Sequence, residues 1–119
     1  KLAVAFMKTK GHAKVAVVAH SLGTRMSYHY LSKTTDAPVA AWVAIGMPAA
    51  PDMARLKMPI LDLYGQNDLP QVVKNAGKRA AGMKQKGSSQ VVVPGADHFF
   101  EGKDAALLEQ VRGWLDKML

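Results

Sequence analysis

In this chain of 119 residues, the most informative segment is Val15-Ala16-Val17-Val18-Ala19-His20-Ser21-Leu22-Gly23. It begins with a continuous run of β-branched and small apolar residues, which is typical of a strand buried on both faces in a parallel sheet. The run passes through Ser21 directly into a helical pattern that extends from Leu22 to Leu31. A serine between a strand and a helix lies on a tight turn, and Ala19 and Gly23 are the small residues that such a turn needs on either side.

Three further apolar runs predict strands, and each of them ends in a cluster of turn residues: Ala40–Ile45, Ile60–Tyr64 and Gln90–Val93. Helical patterns follow the later strands, at Gln71–Lys86 and at Gly102–Leu119, and Leu2–Lys8 is compatible with the end of another helix. This alternation predicts the α/β class, with a mostly parallel sheet of about four strands and flanking helices joined by right-handed crossovers. The stretches Lys33–Pro38 and Pro48–Pro59 are interpreted as surface connections.

The composition excludes several classes of protein and of site. Hydrophobic residues make up 49% of the chain and charged residues 21%, which are ordinary globular proportions. The absence of cysteine excludes disulfides, a thiolate zinc site and a cysteine nucleophile. The apolar runs are too short to span a membrane, and the four histidines have no acidic partners at ligand spacing, so no metal site is expected.

Two of the predicted helices have residue patterns that predict which face is buried and which is solvated. On the first helix, four apolar residues are predicted to form the face that packs against the sheet: Leu22, Met26, Tyr30 and Leu31.

The net charge of +7 is dispersed along the chain. Lys74, Lys78 and Arg79 lie near one face of the Gln71–Lys86 helix, and no aromatic residues interleave with the lysines. We therefore interpret them as a solvated face and expect no nucleic-acid binding.

Three polar residues follow three of the predicted strands: Ser21, Asp68 in Gly65-Gln66-Asn67-Asp68, and His98 in Gly95-Ala96-Asp97-His98. The carboxyl ends of parallel strands share one edge of the sheet, where the sites of α/β proteins form. These three side chains are therefore expected to lie close together. Their order along the chain, Ser then Asp then His, is the order of a nucleophile, an acid and a base in one well-known type of α/β enzyme.

In the three segments that contain Ser21, Asp68 and His98, the sequence resembles the α/β-hydrolase superfamily. The segment with Ser21 is similar to the nucleophile elbow of that family, and the segments with Asp68 and His98 are similar to its acid turn and histidine loop. Ala19 stands where the family usually has its first glycine. The resemblance covers nearly the whole chain but only the C-terminal part of the family's domain, from the fifth to the eighth strand. Residues 1–119 are therefore expected to be one part of a single domain, and the start at Lys1 rather than Met agrees with a piece of a longer polypeptide.

The resemblance implies a serine hydrolase that cleaves an ester or a related small acyl substrate without a cofactor. Ser21 would be the nucleophile, His98 the general base and Asp68 the residue that orients the histidine. The backbone N–H of Leu22 would stabilise the oxyanion, and the second such N–H would lie in the N-terminal half of the domain. The candidate pocket residues are His20, Met47, Leu69 and Phe99.

Other residues compete for some of these roles. Asp97 adjoins His98 in sequence and does not easily reach the far ring nitrogen, so it is expected to hold the loop. Asp62 lies within a strand, where a buried carboxylate needs a partner, and it ranks third as the acid. The side chain of His20 is expected to point into the fold, where it either packs or supports the catalytic residues through a neighbouring group. One of Phe99 and Phe100 is expected to pack inward.

Alternative functions stay open at this point. The chain is compatible with a non-catalytic relative that acts as a binding or assembly module and, less readily, with a basic nucleic-acid-binding domain. Within the same fold, the sequence does not separate a carboxylesterase from a thioesterase, amidase, peptidase or lipase. Without the N-terminal strands, one edge of the strand that begins at Val15 is open. We therefore expect this chain to self-associate as a dimer through that edge.

Overall fold

A computed structural model describes residues 14–33 and 39–119. Within them, four parallel strands form one sheet in the order β1-β2-β3-β4: Ala16–His20, Ala41–Ile45, Ile60–Gly65 and Ser89–Val93. The predicted α/β class with a four-stranded parallel sheet is confirmed. The helix expected at Leu2–Lys8, most of the Lys33–Pro38 connection and His12 lie outside the described residues.

Four α-helices and one short 3-10 helix accompany the described part of the sheet. The α-helices are α1 (Leu22–Lys33), α2 (Pro70–Lys74), α3 (Ala76–Gly82) and α4 (Asp104–Met118), and the 3-10 helix covers Met53–Arg55. No helix within residues 14–33 and 39–119 combines the length and the apolar character that crossing a membrane requires.

The two central strands, β2 and β3, are buried along their whole length. Since side chains alternate between the two faces of a strand, Trp42, Ala44 and Ile60 contribute to the core beside α1. Val43 and Leu61 point the other way and contribute to a second core that includes Trp114 of α4. This burial on both faces is the physical reason why the strands are continuously rather than alternately apolar.

Strand β1 differs from the central strands because none of its five residues is buried. Val18 keeps 53% of its surface accessible, and β1 pairs only with β2 among the described residues. The Val15–Ala19 run was predicted to be buried on both faces. That prediction is wrong for the described residues, because the elements that pack on the faces of a sheet cover a strand at its edge from one side only.

The face that α1 turns toward the sheet also differs from the prediction. Leu22 and Met26 are 66% and 68% exposed, whereas Thr24 and Leu31 are buried. Ser27 Oγ accepts a hydrogen bond of 3.0 Å from the indole N–H of Trp42. The buried indole needs this polar partner, so Thr24, Ser27 and Leu31 form the inner face. Of the four apolar residues predicted for that face, Leu31 is buried and Tyr30 packs against the core, whereas Leu22 and Met26 lie outside.

The single helix predicted over Gln71–Lys86 is divided into α2 and α3. Asn75 separates them with φ −92° and ψ 0°, and its side-chain amide donates to the carbonyl of Pro48 rather than continuing the helix. The pattern of basic residues was misread in the same region. Arg79 is completely buried and is not part of a solvated face.

The connection from β2 to β3 contributes to the core, although Pro48–Pro59 was expected to be only a surface connection. Met53, Leu56 and Met58 are at most 8% exposed. Gln85 anchors this segment, because its side-chain N–H groups donate to the carbonyls of Met53 and Leu56 at 2.7 and 2.6 Å. The connection is therefore an ordered wall on the α1 side of the sheet.

Candidate active site

Ser21 lies on a sharp turn between β1 and α1. Its φ of +54° is in the left-handed region, which a residue other than glycine adopts only at a strained turn. The backbone N–H of Ser21 donates to the carbonyl of Ile45 at 2.8 Å, which fixes the turn to the end of β2. A β-carbon at Gly23 would lie 3.7 Å from the Ala19 β-carbon, which is an ordinary contact, so an alanine would fit at this position.

The structure brings together the three side chains that sequence reasoning singled out. His98 Nε2 lies 2.8 Å from Ser21 Oγ, and His98 Nδ1 lies 2.6 Å from Asp68 Oδ1. A carboxylate can only accept, so Nδ1–H is the donor to Asp68 and Nε2 is left to accept from the serine hydroxyl. The result is a continuous hydrogen-bonded chain from a carboxylate through an imidazole to a hydroxyl.

Asp68 is oriented by the turn that carries it. Its Oδ1 accepts a hydrogen bond of 2.7 Å from the Leu69 N–H, and its Oδ2 accepts one of 3.3 Å from the Gly65 N–H. Its side chain is fully buried beside His98. Hydrogen bonds to both oxygens leave the carboxylate one orientation, which directs Oδ1 at the imidazole.

The loop that carries His98 is fixed from both ends. Asp97 Oδ1 accepts from the N–H groups of Phe99 and Glu101 at 3.0 and 3.2 Å, which is the loop-holding role expected for it. The carbonyl of Ala96 accepts from the N–H of Asn67 at 2.9 Å. This last bond ties the histidine loop to the acid turn, so the distance between His98 and Asp68 is set by the backbone.

Two glycines allow these segments to approach each other. A β-carbon at Gly65 would lie 2.3 Å from the Ala96 carbonyl oxygen, so only glycine fits where the acid turn meets the histidine loop. Gly46 has a φ of +63°, and a β-carbon there would lie 3.1 Å from the ring of His98. The segment after β2 is therefore the wall against which the imidazole packs.

The candidate pocket residues lie in different environments. His20 was expected to point into the fold, but it is exposed. Its Nε2–H donates to the carbonyl of His98 at 2.8 Å and so supports the histidine loop. Phe99 is 76% exposed with its ring 5.1 Å from that of His98, while Phe100 is buried, as expected for one of the pair. Leu69 is 40% exposed, and Met47 is buried in the core beside α1.

Sequence reasoning missed a second buried network beneath this edge. The Nε–H of Arg79 is shared between the two carboxylate oxygens of Asp62 at 3.0 and 2.9 Å, and Gln90 donates to Asp62 Oδ2 at 2.8 Å. Burial raises the pKa of Asp62 above its ordinary value of 3.8, and the charge of Arg79 and the hydrogen bond from Gln90 oppose that rise. The sequence indicates that a buried Asp62 needs a partner, but it does not say which residue that partner is. The feature that points to Arg79 is its position in a helix that follows the strand.

The same arginine holds the segment after β2. Its Nη1 donates to the carbonyls of Met47 and Ala49 at 2.8 and 3.3 Å, and the amide of Asn75 donates to the Pro48 carbonyl between them at 2.9 Å. Three consecutive carbonyls next to Gly46 are thus fixed by two side chains. We call these contacts the carbonyl clamp.

The first amide of α1 faces the same edge of the sheet. Leu22 is the first residue of the helix, and the amides of a first turn have no partner within their own helix. The positive end of the helix dipole points in the same direction, which favours negative charge beside Ser21. No group of three histidine or acidic side chains that could hold a metal ion occurs among residues 14–33 and 39–119.

Comparison with known proteins identifies a family and a fold. The model of the DUF3530 family, described as a protein of unknown function, matches residues 1–117. No curated protein matches the chain.

Solved structures of hydrolases share the fold. A dienelactone hydrolase from Anabaena variabilis is 25% identical with a TM-score of 0.76, over 92% of this chain and 51% of that one. An α/β hydrolase from the metagenome of lagoon sediments at Mar Chica, Morocco, is 15% identical with a TM-score of 0.75, over 94% and 65%. The esterase domain of a Rhodothermus marinus protein is 17% identical with a TM-score of 0.66, over 93% and 64%.

The chain spans about half of the length of the dienelactone hydrolase and less than two thirds of the other two structures. The expected resemblance to part of an α/β hydrolase is confirmed. The chain belongs to the DUF3530 family, and its described residues form a partial α/β-hydrolase fold.

Proposed function

We propose that this chain carries the nucleophile, the base and the acid of a serine hydrolase that cleaves an ester or a related small acyl substrate. The observation that supports this best is the hydrogen-bonded chain from Asp68 through His98 to Ser21, with links of 2.6 and 2.8 Å. A serine that is merely a helix cap needs neither a buried imidazole nor a carboxylate behind that imidazole.

The proposed reaction has two halves. Ser21 Oγ attacks the substrate carbonyl carbon while His98 Nε2 takes the hydroxyl proton, and the Leu22 N–H donates to the oxyanion that forms. The intermediate collapses as His98 protonates the leaving alcohol, which leaves an acyl group on Ser21. Water then attacks this acyl-enzyme with His98 as base, releasing the acid and restoring the serine. Asp68 holds the imidazole tautomer and stabilises its charged form.

We also propose that residues 1–119 are the C-terminal part of one α/β-hydrolase domain. This chain covers only 51% of the dienelactone hydrolase that shares its fold, and the described sheet has an open edge at β1. The second oxyanion donor then comes from the N-terminal part of that domain, so the 119-residue chain alone has a weakened oxyanion site. The proposed substrate is a small molecule rather than a nucleic acid.

As an isolated chain, we expect the protein to form a dimer through β1. An edge strand exposes unpaired backbone groups, and the exposed Val18 lies on the same strand. Light scattering after size-exclusion chromatography is expected to give the mass of a dimer. A monomer across a wide concentration range would remove this part of the proposal.

The function is tested by labelling with a fluorophosphonate, which phosphonylates an activated serine without requiring knowledge of the substrate. Intact-mass measurement is expected to show one added group on the wild type and none on Ser21→Ala. Ser89→Ala, at the start of β4, is the matched control and is expected to label like the wild type. Because the 119-residue chain alone has a weakened oxyanion site, the same test is also run on the longer protein that contains the N-terminal part of the domain. A folded longer protein that stays unlabelled would contradict the proposal and favour a non-catalytic relative.

A further inference from the structure

The histidine loop has to cross the sheet to reach the serine. Ser21 follows β1 and His98 follows β4, and these are the two outer strands of the described sheet. Three strand spacings separate them, which is about 14 Å. His98 Nε2 nevertheless lies 2.8 Å from Ser21 Oγ. The loop therefore needs an attachment beside β1 to keep this short distance.

Several contacts hold the loop at its other end. The carbonyl of Ala96 accepts from the N–H of Asn67, and Asp97 accepts from two N–H groups within the loop itself. Phe100 packs into the core that includes α4. None of these contacts reaches the turn that carries Ser21. They hold the imidazole of the loop against Asp68, but they do not determine its direction toward the serine.

His20 supplies the attachment beside β1. It is the last residue of that strand and directly precedes Ser21, and its Nε2–H donates to the backbone carbonyl of His98 at 2.8 Å. In the described part of the chain, two hydrogen bonds join residues 16–33 to the histidine loop, namely this one and the bond between His98 and Ser21. Two bonds between the same segments fix direction as well as distance, whereas a single bond lets the imidazole pivot.

Three aromatic rings surround the bond from His20. The ring centroids of His20 and His98 lie 4.9 Å apart, and the ring of Phe99 meets the two edge-on at 6.0 and 5.1 Å. These are distances at which aromatic rings attract each other. The hydrogen bond is accordingly part-buried, although the side chains of His20 and Phe99 are exposed. Reduced access of water strengthens a hydrogen bond, so this one is able to hold the loop.

We propose that His20 is a positioning residue for the base, and that it holds the backbone of His98 so that Nε2 faces Ser21 Oγ. The inference rests on the proposed function for its catalytic consequence. It goes beyond that function, because it assigns part of the activation of Ser21 to a side chain outside the three catalytic candidates. The essential group is the N–H donor of His20 rather than the basicity of its ring.

This distinction determines the choice of variants. The side-chain amide nitrogen of glutamine is the same number of bonds from the β-carbon as Nε2 of histidine, so His20→Gln keeps a donor in reach of the His98 carbonyl. Methionine has a similar length but no N–H, so His20→Met removes the donor. His20→Ala removes the donor and the bulk together. Because His20 is exposed, all three variants are expected to fold.

The first measurement determines the geometry without turnover. The ¹⁵N chemical shift of His98 Nε2 is measured in histidine-labelled protein with Ser21 present and with Ser21→Ala, and the difference reports the bond from the serine hydroxyl. The difference is expected to persist in His20→Gln and to be lost in His20→Met and His20→Ala. His29→Met, at an exposed histidine of α1, is the matched control and is expected to keep it.

The second measurement determines the consequence for the serine. The rate of fluorophosphonate labelling of the longer protein is expected to fall about tenfold to 100-fold in His20→Met and His20→Ala, at unchanged folded content, because the base is misplaced. His20→Gln is expected to stay within about threefold of the wild type, and His29→Met is expected to label at the wild-type rate.

The two measurements separate this proposal from the proposed function. The role of His20 is overturned if the Nε2 difference is absent from the wild type, if it persists in His20→Met, or if His20→Gln loses it as well. A labelling rate in His20→Met equal to that of a labelled wild type also overturns it. If the Nε2 differences follow the donor as expected but the folded wild type stays unlabelled, the proposed function fails and the positioning by His20 stands.

Discussion

Asp62 and Asp68 lie six positions apart, and both side chains are fully buried against one basic partner. Asp62 points from the middle of β3 to Arg79, a permanent cation, and that pair fixes the wall beside the site. Asp68 lies just beyond the end of β3 and meets His98, whose other nitrogen faces Ser21. The partner and the position in the strand, rather than burial or charge, therefore distinguish the carboxylate with the proposed catalytic role from the carboxylate that supports structure.

The largest effect is expected from breaking the catalytic side of this comparison. Asp68→Asn keeps the shape of the side chain but removes the charge that selects the imidazole tautomer. The rate of ester hydrolysis is expected to fall about 10³-fold to 10⁴-fold, while the free energy of unfolding in urea changes little. A fall of less than tenfold would show that another group orients His98.

Breaking the structural side is expected to give the opposite signature. Arg79→Met leaves the Asp62 carboxylate buried without a cation and is expected to lower the free energy of unfolding by about 3–5 kcal/mol. The double variant Asp62→Leu/Arg79→Met removes both charges and is expected to recover most of that loss, as measured by urea unfolding. If the double variant is less stable than Arg79→Met, the pair contributes more than mutual neutralisation.

The loss in Arg79→Met also depends on pH in a defined direction. Burial already raises the pKa of Asp62, and removing the opposing charge of Arg79 raises it further. A group with a raised folded-state pKa contributes its full stability below its ordinary value of 3.8 and loses it as the pH rises through the folded-state pKa. The stability difference between wild type and Arg79→Met is therefore expected to be larger at pH 8 than at pH 5. A difference that grows toward acid would contradict this assignment.

The smallest effect distinguishes the two ends of the connection after β2. Asn75→Ala removes one donor of the carbonyl clamp near His98, and Gln85→Ala removes comparable bonds to Met53 and Leu56 at the far end. Each is expected to lower the free energy of unfolding by about 1 kcal/mol. Only Asn75→Ala is expected to reduce kcat/KM, by about threefold to tenfold, because it loosens the wall beside the imidazole. Equal losses of kcat/KM in the two variants would argue that the effect is global.

The sequence predicts the sheet and the proximity of Ser21, Asp68 and His98 because both depend on local patterns. Continuous apolar runs identify β2 and β3, and the turns after the strands identify Ser21, Asp68 and His98. The order of parallel strands then places those turns at one edge. The geometry of the hydrogen-bonded chain follows from topology, so it needs little information from distant parts of the sequence.

What the sequence does not predict depends on contacts between distant segments. Arg79 looks like one more basic residue until Asp62, 17 positions earlier, is placed opposite it. Asn75 breaks a helical pattern because the carbonyl of Pro48 is within its reach. The inner face of α1 contains Ser27 rather than Leu22 and Met26, because the buried indole of Trp42 requires an acceptor.

The proposed function requires that His98, oriented by Asp68, activates Ser21. The most direct measurement is the rate of fluorophosphonate labelling at Ser21, located by peptide mapping, in wild type and in His98→Ala. We expect the rate to be at least about 100-fold lower in His98→Ala, at unchanged folded content, because the serine then has no base. Equal labelling rates in the two proteins would contradict it.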